Sequence, residues 1–396
     1  MDNLPTVRAR GFILAMVLVV CFATAFVLAT PGFVLLMAAQ WGYGSSRLGL
    51  FVTVDSIGSA LGPLLLSGLL SRMPVRRVFI ASALGFAAGN VLTATHPVFG
   101  AILASRALSG TSGGVLAALG VRYLALSAGS ERNLALMTIG QTLYSSLVLT
   151  VALPAVGATA QATGAFALLA IQALLCAPMA WLFRRGEPLT ADRPGDGPTQ
   201  RAGSLGCLLA ILSLNTAVGV VWTFLGPRGL AAGLDEALVD RVLGAANLLS
   251  IAGCACVPFV VRRGRLYAGC IAALALCAAA ALALALPPQA WLFVAASVVY
   301  VVAWAAAITL MMAAMPGFDP VGRYVMLIPA ALCVGNGAGA LVGGALLETL
   351  GAGGAFGFAA ACCALSAGVF RVLQRQAREG LAFAQACASS RLPAPP

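Results

Sequence analysis

Apolar runs of roughly 20 residues, long enough to cross a hydrocarbon layer as helices, recur twelve times along this chain. No other feature narrows the fold so far. The runs cover approximately 11–37, 48–70, 78–95, 98–120, 134–156 and 164–183, then 204–225, 241–261, 266–286, 290–315, 324–347 and 352–373. Only 9% of the residues are charged and 61% are hydrophobic, whereas a surface facing water needs about 25% charged residues. Lipid is therefore the solvent for most of the chain. A transmembrane β-barrel, the other spanning architecture, shows short segments of alternating polarity rather than continuous runs. The 45 glycines suit helices that pack backbone to backbone. The expected fold is an all-α membrane protein with twelve transmembrane helices.

The net charge of +11 does not point to nucleic acid, because the charges sit in short loops between the apolar runs. All 23 basic residues are arginine. With the N-terminus inside, nineteen of them face the cytoplasm: Arg8, Arg10, Arg72, Arg76, Arg77, Arg122, Arg132, Arg184, Arg185, Arg193, Arg201, Arg262, Arg263, Arg265, Arg323, Arg371, Arg375, Arg378 and Arg391. Arg47, Arg228 and Arg241 fall on the other side, and Arg106 lies within a helix. This asymmetry follows the positive-inside rule and predicts a multi-pass protein of a bacterial inner membrane with both termini cytoplasmic. The first run follows Arg8 and Arg10 but is too long for the core of a signal peptide, so it reads as the first span.

The longest polar stretch, 184–203, is rich in Pro, Gly and charge and reads as a linker. It divides the chain into 1–183, an N-terminal six-helix bundle, and 204–396, a C-terminal bundle with a short cytoplasmic tail. Duplicated six-helix units are one way transporters are organised. A basic cluster after the second run, Arg72–Arg77, is echoed after the eighth, Arg262–Arg265. Ten of the eleven cysteines lie within apolar runs, where free Cys packs as a small hydrophobe. The single histidine, His96, excludes a multi-histidine metal site. No metal or other cofactor is expected.

Two stretches carry a family resemblance. The loop Gly68-Leu69-Leu70-Ser71-Arg72-Met73-Pro74-Val75-Arg76-Arg77 resembles the signature Gly-x-Leu-Ala-Asp-Arg-x-Gly-Arg-Arg of the major facilitator superfamily, matching at Gly68, Leu70, Arg76 and Arg77. Arg72, Met73 and Val75 replace the signature's Asp, first Arg and second Gly. Arg106, Gly110 and Gly114 are similar to a second pattern of that family, Arg-x-x-x-Gly-x-x-x-Gly. The resemblance implies a carrier of two six-helix halves working by alternating access. It also implies a role for Arg106 in proton coupling and for Gly68, Arg76 and Arg77 in a loop that switches conformation. The missing Asp removes one member of the family's charge latch. The fifth run lacks the Gly-Pro-rich motif of drug–proton antiporters, with Pro154 standing alone near its outer end.

Two ionisable groups fall inside spans, Asp55 in the second and Arg106 in the fourth. A charge within the bilayer costs at least about 2–3 kcal/mol, so such groups face the bundle interior and find partners. Both lie about 10–12 Å below the same boundary at 1.5 Å per residue, so they can meet. Asp55 is the expected proton-coupling residue, with Arg106 adjusting its proton affinity; a permanent structural ion pair is the alternative. Uncharged polar and aromatic residues near mid-membrane are the expected substrate contacts: Gln141, Tyr144, Asn215, Trp222, Asn247, Tyr300, Trp304 and Asn336. Helix-to-helix hydrogen bonds would use the same side chains. Glu348, and the group Asp235, Glu236, Asp240 and Arg241, are expected to be solvated. The Gly58/Gly62, Gly85/Gly89, Gly110/Gly114 and Gly335/Gly339/Gly343 spacings predict close helix contacts.

The chain thus reads as a secondary transporter of a small organic solute, working as a monomer by proton-coupled export. Uptake of a nutrient or metal chelate is the alternative. A non-transporting receptor or an enzyme is more remote: no HExxH motif and no nucleotide-binding loop is present.

Overall fold

The computed structural model describes residues 6–68, 73–95, 98–183, 200–320 and 322–389, and the elements among them are helices. In chain order these are α1 (Thr6–Ala23), α2 (Ala25–Leu28), α3 (Thr30–Trp41), α4 (Ser45–Ser67), α5 (Val75–Thr95), α6 (Phe99–Leu126) and α7 (Ser130–Leu147). A π-helical turn, Val148–Ala152, leads into α8 (Leu153–Cys176) and a 3-10 turn, Ala177–Leu182. The later elements are α9 (Arg201–Ala231), α10 (Glu236–Arg262), α11 (Leu266–Ala285), α12 (Ala290–Ala314) and α13 (Ile328–Ser389).

Among the described residues nine helices are long and apolar enough to cross a membrane. Two of these stretches, Ser130–Leu182 and Val325–Gln376, hold 53 and 52 residues. Straight, each would reach about 80 Å, more than twice a hydrocarbon core of about 30 Å. Each is broken instead. Gln161 has φ 52° and ψ −146°, and Gly351 has φ 68° and ψ −168°. These are backbone conformations an α-helix cannot contain, and both breaks lie in exposed residues.

The first apolar run, expected as one helix over 11–37, is three pieces. Pro31 supplies the reason for the second break: it has no N–H to offer the carbonyl of Val27. The chain leaves helical geometry at Ala29, with φ −120° and ψ 20°. The helix expected from 204 begins at Arg201, so the last three residues of the expected linker belong to α9. The rest of that linker, 184–199, lies outside the described residues, as do His96 and 69–72 of the signature loop.

Glycine sets the registers. A Cβ on Gly58 would lie 2.9 Å from the Thr111 nitrogen, and one on Gly62 would meet the backbone of Gly114 and Val115, so α4 and α6 run parallel at backbone contact. On the partner side Gly110 lies against the Asp55 backbone and Gly114 against that of Ser59. The same stride joins α9 to α13, where Gly335 meets Leu212 and Asn215, Gly339 meets Thr216, and Gly343 meets Val220 and Phe224. Gly85 and Gly89 seat Ser112, Ser105 and Ser109, packing α5 antiparallel to α6.

Call the end where α1 begins the near face, and the opposite end the far face. Segment 6–183 meets segment 200–376 mainly in the far half. Buried residues of the first segment at 25–37, 48–52, 148–153 and 162–169 share one apolar cluster with α9 to α13. Those at 15–21, 75–87, 115–124 and 173–183, nearer the other end, form a separate cluster with no member from beyond residue 183.

Candidate functional site

The α4–α6 contact brings one acid and one base together. Because Gly110 lies against the Asp55 backbone, Arg106 stands one turn earlier on the same face of α6, and a helical side chain leans back toward the N-terminal end. Its guanidinium donates from Nη2 to Asp55 Oδ1. Nη1 donates to Asn90 Oδ1 at 2.9 Å, and Asn90 is oriented by its own Nδ2, which donates to the Phe86 carbonyl at 2.8 Å. Ser109 Oγ reaches Asp55 Oδ1 at 3.5 Å. Arg106 is fully buried and Asp55 is 3% exposed.

Aromatic rings enclose the cation. The Arg106 guanidinium carbon lies 4.6 Å from the ring centre of Phe26 and 5.3 Å from those of Phe51 and Phe166, within the range of a cation–π contact. Phe33 packs on Phe26 and Phe166, and Trp41 stacks on Phe166 at 5.8 Å with 7° between planes. The pair is thus screened from the far face by rings rather than by charge.

α13 lies directly beside it. Thr53 Oγ1 donates to the Gly337 carbonyl at 2.8 Å, and Asn336 Nδ2 donates to Ser56 Oγ at 3.0 Å. These contacts flank Asp55 on α4, so its neighbours in sequence are bonded across the seam between the two segments.

Comparison with known proteins agrees with this architecture. The sequence model described as Major Facilitator Superfamily matches residues 15–328. The chain belongs to the major facilitator superfamily. It is therefore a membrane transporter rather than an enzyme. Among solved structures it resembles the nucleoside transporter NupG and an aspartate-to-alanine mutant of it. The mutant aligns with TM-score 0.74 at 13% identity, covering 92% of this chain and 99% of that one. The other NupG structure gives 0.70 at 12%, covering 92% and 98%. At such identity the likeness is one of fold. No curated protein sequence matches the chain.

Within this superfamily member the expected substrate residues divide. Gln141, Tyr144 and Asn247 gather along one polar strip: Gln141 Nε2 donates to Thr24 Oγ1 at 3.0 Å, Tyr144 Oη to Gln172 Oε1 at 2.7 Å, and Asn247 Nδ2 to Ser145 Oγ at 3.0 Å. The strip borders the break at Pro31. Ser145 Oγ donates to the freed Leu28 carbonyl at 2.7 Å, and Trp222 Nε1 donates to that of Val27 at 3.1 Å. Trp304 lies against Trp222, ring centres 6.0 Å apart. Asn336 is at the α4 seam already described. Asn215 donates to the Ile211 carbonyl at 2.9 Å within α9. Tyr300 is buried with its hydroxyl beside the Cys363 thiol, among α11, α12 and the last part of α13. Neither meets the strip.

In the signature loop, Gly68 follows α4, Arg76 stacks on Trp181 at 4.3 Å from the ring centre, and Arg77 is exposed. Gly110-Thr111-Ser112-Gly113-Gly114 also has the spacing of a hydrolase elbow. Ser112 lies inside α6 against Gly85, however, not on a strand-to-helix turn.

Sequence reasoning passed over Asn90, Ser109, Gln172 and the aromatic enclosure. One expectation is corrected: Asp240 is not solvated but 3% exposed, because α10 packs against α7 and the π turn there, with Gly32 of α3 beside the carboxyl. Asp235, Glu236 and Arg241 are exposed as expected, with Asp235 capping α10 through a 2.6 Å bond from the Leu238 nitrogen. Glu348 is exposed yet engaged, accepting from the nitrogen (2.8 Å) and hydroxyl (2.6 Å) of Ser46 at the start of α4.

Proposed function

We propose that this transporter moves a small neutral or amphipathic organic solute by alternating access, coupled to protons and in the direction of export. The observation that carries the reading is the Asp55–Arg106 pair, buried one residue from the bonded seam between α4 and α13. If the segments rock apart, α13 leaves α4 and the surroundings of Asp55 change, which is what a coupling carboxyl requires. Asp55 exchanges the proton. Arg106 holds its counter-charge, and Asn90 and the rings keep the guanidinium in place while the carboxyl is neutral.

Further features support this picture. Counting each long stretch as two crossings and the Pro31-broken α1–α3 as one gives twelve, in two sets of six. The start of α1 and the end of α13 then lie at the near face, and the arginine asymmetry makes that face cytoplasmic in a bacterial inner membrane. The far-face packing and the separate near-face cluster correspond to a carrier closed to the outside and open to the cytoplasm. The solute would bind along the strip of Gln141, Tyr144 and Asn247 with Trp222 and Trp304. Amides and rings without a buried charge suit an uncharged solute. Asn336, Asn215 and Tyr300 would act in packing or gating.

Substrate-driven proton movement tests the reading. In inside-out vesicles with an acid interior, added substrate should collapse the gradient in the wild type and not in Asp55→Asn. A collapse that survives the substitution would remove Asp55 from the coupling step. The second reading is uptake: the shared fold with a nucleoside transporter favours including nucleosides in the panel. Substrate accumulation in right-side-out vesicles would select it.

A further inference from the structure

Asp240 is a buried carboxyl that the coupling scheme does not use. It lies on α10, one turn after Glu236, at the far-face seam between the two segments. A Cβ on Gly32 of α3 would be 3.4 Å from its Oδ1, with Leu153 and Leu149 on the same side at 2.6 and 3.1 Å. The bare glycine at position 32 thus lies against both the carboxyl and the two leucines. Asp240 is 3% exposed, and its Oδ1 is buried without a hydrogen-bond partner. It is the one carboxylate among the described residues with such an atom.

No cation faces it. Among charged residues on its own helix, Glu236 is exposed and of like sign, Arg241 turns away to the Ala237 carbonyl at 3.1 Å, and Arg262 is at the opposite end. α3, the π turn, α8 and α12 contain no charged residue. On α9 Arg228 donates to the Leu286 carbonyl and lies over Phe356, and Arg201 is at the near face. α7 carries Glu131 and Arg132 at its near end, and its Tyr144 is bonded to Gln172. Tyr267 of α11 sits at the near end of that helix, and Tyr300 of α12 beside Cys363. A carboxylate shut into such a place without donor or counter-charge is costly, whereas the neutral acid fits. When the seam parts, water reaches the group and the ionised form is solvated.

We infer that Asp240 is a second proton-binding site of the carrier, holding a proton while the far-face seam is closed and releasing it to water when the seam opens. The inference rests on the alternating-access reading but not on Asp55 as the coupling residue. It adds a proton-binding group at the outer gate, separate from the Asp55–Arg106 pair.

Infrared difference spectra of the protein in liposomes, taken between acid and alkaline conditions without substrate, read the proton directly. The carbonyl stretch of a protonated carboxyl should disappear in Asp240→Asn, move in Asp240→Glu and survive in Asp55→Asn. Hydrogen exchange of α3 amides reads the seam. The ratio of wild-type to Asp240→Asn exchange cancels intrinsic chemistry, and it should rise with pH by up to about tenfold per unit for one linked proton. An unchanged band in both Asp240 variants, or a ratio flat with pH, overturns the inference. Failure of the Asp55→Asn vesicle experiment with these results intact would remove the coupling role and leave this site standing.

Discussion

Two of the buried carboxyls, Asp55 and Asp240, stand in opposite surroundings. Asp55 has a guanidinium, a serine hydroxyl and a ring-lined enclosure around its partner; Asp240 has a glycine and two leucines. Both are 3% exposed, so burial does not distinguish them. What differs is the company each keeps. A carboxylate beside a cation can stay charged in the interior, and removing the cation is what hurts. A carboxyl without donors is accommodated as the neutral acid, and there the charge is what hurts. Burial alone therefore does not say what a membrane carboxyl does.

That contrast yields tests of decreasing size. The largest effect is expected from Arg106→Met, which strands Asp55: roughly 3–5 kcal/mol of stability should be lost, read by denaturant unfolding in detergent. Asp55→Asn added to Arg106→Met should restore most of it, because the stranded charge is gone. Asp240→Asn should leave stability near the wild-type value; a loss as large as that of Arg106→Met would erase the distinction. Next comes Gly110→Leu, which forces α4 from α6 where Asp55 and Arg106 meet and should cost about 1–3 kcal/mol through overpacking. Substrate-coupled proton movement should fall with it. A stable, fully coupled variant would show that the pair does not depend on this glycine contact.

Trp222→Phe is expected to act more mildly, at the Pro31 break. It removes the indole donor to the Val27 carbonyl, an interaction worth about 1 kcal/mol. Amide exchange in α3 should rise by roughly fivefold. The smallest change is expected from Glu348→Gln, whose exposed bonds to Ser46 tie α13 to α4 at the far rim. A slight drop in thermal midpoint that vanishes at high salt would fit.

The sequence carried the solvent, the helical class and the equal depth that lets Asp55 meet Arg106, for one physical reason; the pairing itself needed the structure. In lipid every apolar run is long and continuous, and a charge within one needs a partner at its own depth. The glycine strides were legible too, since small residues four apart have few other uses at that density. What lay hidden depends on which face a helix turns. Asp240 follows Asp235 and Glu236 at a helix start, where charged residues are ordinarily wet, and only the packing of α10 on α7 and the π turn, with Gly32 alongside, reveals its burial. The break at Pro31 was visible as a residue, but its consequence was not: two freed carbonyls take up Ser145 and Trp222 from other helices. Tyr300 illustrates the reverse. Its type and depth matched a substrate contact, yet it faces α11 and α13 rather than the first segment.

The most direct test of the central claim is proton movement in inside-out vesicles bearing an acid-inside gradient. A panel of organic solutes, nucleosides among them, would be added with a pH-sensitive dye inside. The account predicts that a substrate collapses the gradient in the wild type and that Asp55→Asn abolishes the collapse while the protein remains folded. The same collapse in Asp55→Asn would contradict it.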